Sequence, residues 1–451
     1  MYQMFQVDSI DDLTPQYVSK KIDEFDKSKE RANYKSNAAY YAGKNTAILE
    51  RELPEDTGPD NKIPVSYARR IINLVVGYMY KPGLVNYAFP PEESTFEDAT
   101  REVFDENKEP LKTEQAGKQS SIQGRGYEYH YVEGDALTTT PRFAKFQADE
   151  VIPFYDRAIE PNLLAFVRYI WEEEDGKRYA SVLYVDDKMV REYKKPAEGS
   201  EMTLVGEEVP HFYKQVPLVV YANNEEMIGD FDPALPLIDA YDVLVSDSMN
   251  EFDRFAWAYL LLKGMALSQD QAEKVKQLRM FENLDETGDV SFLTKDIATE
   301  FIKFMADLLR SEIHRQSGIP NLEDYDGAGA SGKTMTKFIY LMELFTDPKE
   351  SYFVEGLHKR IELINTILTI KGTGGDANSV KIIMNRNTPD NSKEQAEIFN
   401  LYRGHIAHRT LIETFADFVD DPDEELELIE AESPVMDMFD DTENAESGES
   451  T

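Results

Sequence analysis

The stretch 236-PLIDAYDVLVSDSMNEFDRFAWAYLLLK-263 decides how the rest of the chain is read. Placed on a helical wheel at about 100° per residue, Leu237, Ile238, Tyr241, Leu244, Val245, Met249, Phe252, Phe255, Tyr259 and Leu262 share one arc. Asp239, Asp242, Asp247, Asn250, Asp253 and Arg254 fill the other. The pattern predicts an amphipathic helix from Pro236 to Lys263, roughly 42 Å long at about 1.5 Å per residue, stopped by Gly264. One arc seeks an apolar partner; the acidic arc is expected in water. A second stretch, 297-IATEFIKFMADLLRSEIHRQS-317, repeats the design, with Ile297, Phe301, Phe304, Met305, Leu308 and Leu309 opposing Glu300, Lys303, Asp307, Arg310 and His314. Gly318 and Pro320 close it. Two struts therefore enclose one compact insert, a structural device rather than a catalytic one; the plainest reading is an antiparallel helix pair on a globular core.

Working outward, 451 residues with 41% hydrophobic content and 51 aromatics are enough for more than one buried core. Forty-eight basic residues against 86 acidic ones give a formal charge of −38. That balance argues against a groove-reading nucleic-acid binder, which needs Lys and Arg to displace phosphate counterions. The chain has no cysteine, which excludes disulfides and thiolate chemistry. The start, MYQMFQVDSIDD, lacks a basic, apolar leader, and the most apolar run, FAWAYLLLKGMAL, is broken by Lys263. A soluble, unsecreted protein is expected, with no membrane contact.

On the N-terminal side, TPQYVSKKIDEFDKSKERANYKSNAAYYAG reads as helix from Thr14-Pro15 to Gly43, and NKIPVSYARRIINLVVGYMYKPG as an apolar helix between Pro64 and Pro82-Gly83. From about Arg142 to Phe231 short aromatic and β-branched runs alternate with turn residues, predicting antiparallel strands with Asp175-Gly176 as a hairpin turn. On the C-terminal side, Ser331 to Phe345 reads as helix. Thr346-Asp347-Pro348-Lys349-Glu350 then reads as a corner that starts another helix, with Asp347 as cap, Pro348 at the first helical position and Glu350 completing a capping box. That helix runs to Gly372. A Gly-rich linker and the strand VKIIMN lead to a small helical module from Ser392, which carries a further capping box at Thr410 to Glu413. Between Asp420 and Thr451 lie fourteen acids and no Lys or Arg, a self-repelling tail whose last residues, 433–451, are expected to be disordered. The fold class is α+β, mainly helical.

Candidate chemistry is sparse. Gly327 to Thr334 matches the phosphate-binding pattern G-x-x-x-x-G-K-[ST], with Lys333 and Thr334 at its end. Such a loop needs a buried strand before it, and the preceding IPNLEDYD is polar and turn-like. The acid-ending run Val182 to Asp187 is a candidate Mg²⁺ holder, but it lies upstream, in an antiparallel meander. His405 and His408 have metal-ligand spacing without a third ligand and beside Arg403 and Arg409. No nucleophile setting is recognisable, so an enzyme is not expected, and neither a metal nor a cofactor is implied.

Three segments in order carry a resemblance: Asn61-Lys-Ile-Pro64-Val-Ser-Tyr67-Ala-Arg69-Arg70-Ile-Ile-Asn73 through Val76-Gly77-Tyr78 and Pro82; Ala330-Ser331-Gly332-Lys333 leading into a helix; and Phe418-Val419-Asp420-Asp421-Pro422-Asp423-Glu424-Glu425. Together with the helix-insert-helix between them, they resemble the portal proteins of SPP1-like tailed bacteriophages over about residues 30 to 432. The resemblance implies a ring, usually of twelve subunits, at one capsid vertex of the virion. It implies double-stranded DNA passing through, driven by the terminase large subunit, with a head-tail adaptor, scaffold and major capsid proteins as further partners. Mapped onto this chain, residues 1–235 become the wing, 236–263 and 297–318 the stem helices, 264–296 the clip, 319–379 wing and tunnel-loop helices, and 380–432 the crown. Asp239, Asp242, Asp247 and Asp253 would then line the bore and repel phosphate. Thr346, Asp347, Pro348, Lys349 and Glu350 would form the tunnel loop, and Lys333, Lys337 and Lys349 would be the basic groups nearest DNA. Two other readings stay open at this level: a nucleotide hydrolase using Lys333 and Thr334, and a monomeric adaptor with an acidic tail.

Overall fold

The alternation of strand-like runs with turn residues between Arg142 and Phe231 builds most of the β-structure. The computed structural model describes residues 5–54, 58–133, 139–256, 259–263, 289–293, 299–321, 332–388, 400–402 and 405–406, of which 254–256, 259–263, 289–293 and 332–336 are described through their backbone. Strands β1 (Phe5–Gln6), β5 (Val151–Tyr155), β6 (Leu163–Glu174), β7 (Lys177–Val185), β8 (Met189–Pro196) and β9 (Thr203–Pro210) form one sheet in that order. Only the β1–β5 pair is parallel. The β6–β7 turn is Asp175-Gly176, with φ of 51° and 73°, the double left-handed geometry that a two-residue hairpin requires. A second sheet has the order β10 (Leu218–Ala222), β3 (Arg125–Glu133), β4 (Thr140–Phe146).

Helices α1 (Pro15–Asp26), α2 (Lys29–Tyr41), α3 (Thr46–Leu49) and α4 (Tyr67–Met79) precede the sheets, and α5 (Ser94–Asn107) and α6 (Glu109–Gln123) follow β2 (Val85–Ala88). The long N-terminal helix expected from Thr14 to Gly43 is two helices. Ser28 interrupts it, with extended backbone and its hydroxyl accepting from the Arg31 amide as an N-cap.

The first strut is α7 (Leu235–Ala256), shorter than the sequence pattern predicts. Tyr259–Lys263 is instead strand β11, paired antiparallel with β12 (Asp289–Leu293) from Tyr259↔Leu293 to Lys263↔Asp289. The physical reason is a non-local partner: a Tyr-Leu-Leu-Leu run fits either period, and the facing Val290-Ser-Phe-Leu segment offers ladder bonds that a lone helix end lacks. The second strut, α8, covers Thr299–Ser317 and packs beside α7. Residues 264–288, the bulk of the expected insert, lie outside the described residues.

Helix α9 spans Gly332–Lys371, forty residues or about 60 Å, with Pro348 inside it. This corrects the predicted corner at Thr346 to Glu350. Asp347 is not a cap and Pro348 is not a first helical residue, because the helix is continuous. Its middle crosses β10, where a Cβ on Gly356 would fall 2.5 Å from the Tyr221 ring, so the glycine allows helix and sheet to touch. Three apolar clusters share α9 and the sheets. One gathers Ile71, Ile72, Val75, Tyr221, Phe353 and Leu357; another, Ile22, Phe25, Phe154, Phe166 and Tyr169; the third, Phe96, Val103, Ile361 and Ile364.

Strand β13 (Lys381–Met384) pairs with β2, and the compact unit containing all these elements runs from Met1 to Asn387. Thr388 to Thr451 form a second unit, of which residues 400–402 are helical. No described helix is long and apolar enough to cross a membrane.

Candidate functional site

The strut α7 carries its most buried stripe on Ile238, Asp242, Ser246 and Asn250, spaced four apart. Three of these four are polar, so the burial follows the arc that its composition assigns to water. The cover is the chain's own N-terminal segment. Asn37 donates to Asp232, Tyr40 to Asp239 at 2.6 Å, Asn45 to Asp242 at 2.5 Å, and Arg51 to Asp247 at 2.9 Å, running along α7 toward its C-terminus. The chain then turns and comes back. The Asn61 amide donates to Asn250 at 2.7 Å, the Ile63 amide to Ser246 at 3.0 Å and the Val65 amide to Asp242 at 2.8 Å, while the Asn61 side chain reaches Asp253 at 2.6 Å.

The return leg has a simple geometric basis. Alternate amides of an extended chain are about 6.6 Å apart, and residues four apart on a helix about 6 Å, so the two periods nearly match over three contacts. Lys62 and Pro64 fall between the reading positions. The segment 61–65 is thus a strap held through its main chain by side chains of α7.

Asp242 is fully buried between the Val65 amide and Asn45, both neutral donors. Burial pushes its carboxyl up to about 6, against those two hydrogen bonds, and the nearby Asp239 adds to the rise. The expectation that Asp242 faces water or a bore is therefore corrected: it is inside the subunit. Asp239 and Asp253 are half-buried under the same strap, and Asp247 keeps 52% side-chain exposure beside Arg51. The apolar arc is divided: Ile238 is buried and Leu237 and Tyr241 pack against the core, whereas Met249 and Phe252 on α7 and Phe301, Phe304 and Leu308 on α8 are exposed, Phe252 at 63%.

The other predicted loop residues gather at the middle of α9. Pro348 lacks the amide that would reach the Leu344 carbonyl, and the Thr346 hydroxyl bonds back to Met342 O at 2.8 Å, an arrangement that bends helices. Lys349 does not project. Its Nζ lies 2.7 Å from both oxygens of Asp230 and 3.0 Å from Ser121 Oγ, with 4% of the side chain exposed. Burial lowers its pKa, opposed by Asp230, and its predicted contact with DNA is corrected: the amine is consumed inside the body. On the other side Arg386 bridges Glu350 at 2.5 Å, Asp347 at 3.2 Å and Glu343 at 3.2 Å. Asp347 and Glu350, read as capping residues, are ion-pair partners of the segment that follows β13.

Further along α9, Arg360 is fully buried. Its guanidinium grips both Glu128 oxygens at 2.9 and 2.8 Å and Glu109 at 2.8 Å. Burial alone would raise the Glu128 pKa, but Arg360 and the His130 hydrogen bond overcome it and bring it to about 2. Sequence reasoning missed this cluster and the strap. For the strap, the only signal was Ser246 and Asn250 standing four and eight residues after Asp242.

Lys337 is exposed on the first turns of α9, and Gly332, Lys333 and Thr334 open that helix. Gly327 to Ser331, the rest of the phosphate-loop pattern, and His408 lie outside the described residues. Among the described residues no group of His, Asp and Glu has the arrangement of a metal site.

A family model for "Phage portal protein, SPP1 Gp6-like" matches residues 20–434. The chain belongs to that family. Curated relatives include the portal protein of Clostridium phage phiCD119, 24% identical over 428 residues, covering 88% of this chain and 92% of the relative. The portal protein of Bacillus phage SPP1 is 23% identical over 406 residues, covering 85% and 78%. Among solved structures, a chain from the neck of a native gene transfer agent particle with C12 symmetry aligns with a TM-score of 0.48 at 10% identity, covering 84% of this chain and 92% of that one. Another, from the native gene transfer agent virion, aligns at 0.48 with 11% identity and covers 86% and 93%. The portal assignment makes this a head-tail connector subunit, and the strap and the α9 clamps are features of its body.

Proposed function

We propose that copies of this portal subunit close into a ring, usually of twelve, at one capsid vertex, and that the enclosed passage carries double-stranded DNA inward during packaging and outward at ejection. The observation that supports the ring is the set of apolar side chains that α7 and α8 leave exposed. The polar stripe of α7 is already covered by residues 37–65 of the same chain, while Met249, Phe252, Phe301, Phe304 and Leu308 face outward on the stem. Adjacent apolar side chains left in water favour burial against another surface, and a ring of identical copies supplies one at every interface.

In this reading the terminase large subunit and later a head-tail adaptor engage the clip, residues 264–296. The wing, residues 1–235, faces scaffold and major capsid proteins, and residues 380–432 contribute the crown. The segment around Pro348 borders the passage through Asp347, whose side chain is 65% exposed. Repulsion of phosphate falls to Asp247, whose side chain is 52% exposed, with Asp242 excluded by burial and Asp239 and Asp253 half-covered by the strap; of the basic groups named on α9, Lys337 is open to a phosphate and Lys349 is not. The subunit holds DNA by enclosure, and we assign it no catalytic role.

The test is mass measurement with negative-stain microscopy on the purified protein. A closed annulus of about 620 kDa, twelve times 51.7 kDa, is expected. Phe252→Ser combined with Phe304→Ser should leave the subunit folded and shift the mass toward 51.7 kDa. A monodisperse wild-type monomer overturns the proposal.

A further inference from the structure

We propose that the strap at residues 61–65 fixes the rotation of α7 about its own axis and thereby fixes how many subunits close the ring, with Ser246 and Asn250 as positioning residues. This rests on the ring reading above.

Subunit number in a closed ring depends on the angle between the two surfaces each copy offers its neighbours. That angle is about 30° for twelve copies, about 33° for eleven and about 28° for thirteen, so a change of a few degrees per interface selects a different ring. Apolar packing alone holds such an angle loosely, because Met and Phe side chains can re-form contacts after a small helix rotation. A ladder to main-chain amides is stiffer. The donors at Asn61, Ile63 and Val65 cannot change rotamer, and their acceptors at Asn250, Ser246 and Asp242 lie on short side chains within one stripe of α7. The bonds reach from Asp242 to Asp253, about 16 Å of helix, so rotation of α7 would break several together.

The same helix presents Met249 and Phe252 outward on another side, at 40% and 63% exposure. The phase that the strap sets is therefore the phase at which α7 offers those two side chains to a neighbour. The strap is itself tied to the body, since α4 begins two residues after Val65 and its Tyr67 stacks edge-on against Tyr241 of α7, at 5.2 Å between centroids. Asn45 also donates to the Val65 carbonyl at 3.2 Å.

The experiment uses the full chain, with Ser246→Ala plus Asn250→Ala in one variant and Asn61→Ala in a second that leaves α7 untouched. Amide exchange at residues 61 and 63 reports on the strap, and native mass spectrometry reports on subunit number. In the double variant exchange at Ile63 should accelerate at least tenfold. In Asn61→Ala, which loses the side-chain bonds to Asn250 and Asp253 and no amide bond, it should accelerate by a smaller but measurable factor. In both a single ring mass should give way to a mixture of masses differing by one or more subunits. Accelerated exchange with one unchanged subunit number overturns the inference and leaves the ring reading intact. Unchanged exchange overturns it too, because the ladder then does not hold the strap. If the double variant does not fold, Asn61→Ala decides by the same two readouts. A wild-type protein that forms no ring counts against the functional reading itself.

Discussion

Lys349 and Asp230 are joined by two 2.7 Å contacts in the interior, one residue after the proline that interrupts the hydrogen bonding of α9. The Asp230 carboxylate also accepts from Asn223 at 2.8 Å, so the pair belongs to a network that pins the helix where its own ladder is weakest.

Removing one partner leaves the other buried and uncompensated. Lys349→Met is therefore expected to cost about 3–5 kcal/mol in urea unfolding, and adding Asp230→Asn should recover part of that loss. A Lys349→Met protein with unaltered stability would show that the pair contributes nothing to holding α9.

The strap should respond to acid in an unusual direction. Asp242 is raised from 3.8 to about 6 by burial, and Asp232 likewise. A carboxyl with a raised folded-state pKa binds its proton more tightly in the folded form, so its favourable contribution is complete at low pH and disappears as pH rises from about 4 through 6. Protection of the Val65 amide, relative to intrinsic exchange, should fall across that window and level off above it. Asp242→Asn should flatten the part due to this residue.

Glu128 works the other way. Held at about 2 by Arg360 despite burial, it contributes stability that is present above pH 4.5 and lost as pH falls toward 2. At about 1.4 kcal/mol per pH unit the contribution is on the order of 3 kcal/mol. Acid titration of unfolding should show this loss in the wild type and a reduced slope in Glu128→Gln, whose overall stability should also drop.

Gly356→Ala places a methyl group 2.5 Å from the Tyr221 ring, which itself meets Phe353 with centroids 4.9 Å apart and planes tilted by 31°. Overpacking of this kind costs about 1–3 kcal/mol. A lowered thermal midpoint is expected, and Gly356→Ala combined with Tyr221→Leu should be milder than the sum of the two.

Local signals were read correctly where one residue type dictates geometry. Asp175-Gly176 supplies two left-handed residues for a hairpin, and Tyr67–Met79 is a helix that ends just before Pro82-Gly83. Signals failed where a distant segment decides. Tyr259–Lys263 becomes a strand because residues 289–293 pair with it, and Pro348 stays inside a helix that Asp230 and Arg386 clamp from two sides. Lys349 read as a basic surface group because nothing in its neighbourhood names Asp230, 119 residues earlier. The acidic arc of α7 shows the limit most clearly. A helical wheel separates polar from apolar residues, but a carboxylate facing water and one facing the amides of another segment leave the same periodic trace.

The strap also carries a check on its own alignment. Its odd-numbered residues, Asn61, Ile63 and Val65, supply the hydrogens, and among the even-numbered ones stands Pro64, which has none to give. Sliding the segment by a single position would set Pro64 before the Ser246 hydroxyl in one direction and before the Asp242 carboxylate in the other, each then left without the amide it accepts from. Parity alone thus rejects the nearest misthreaded form, so insertion or deletion of one residue between Asn61 and Val65 should be far more harmful than most substitutions there.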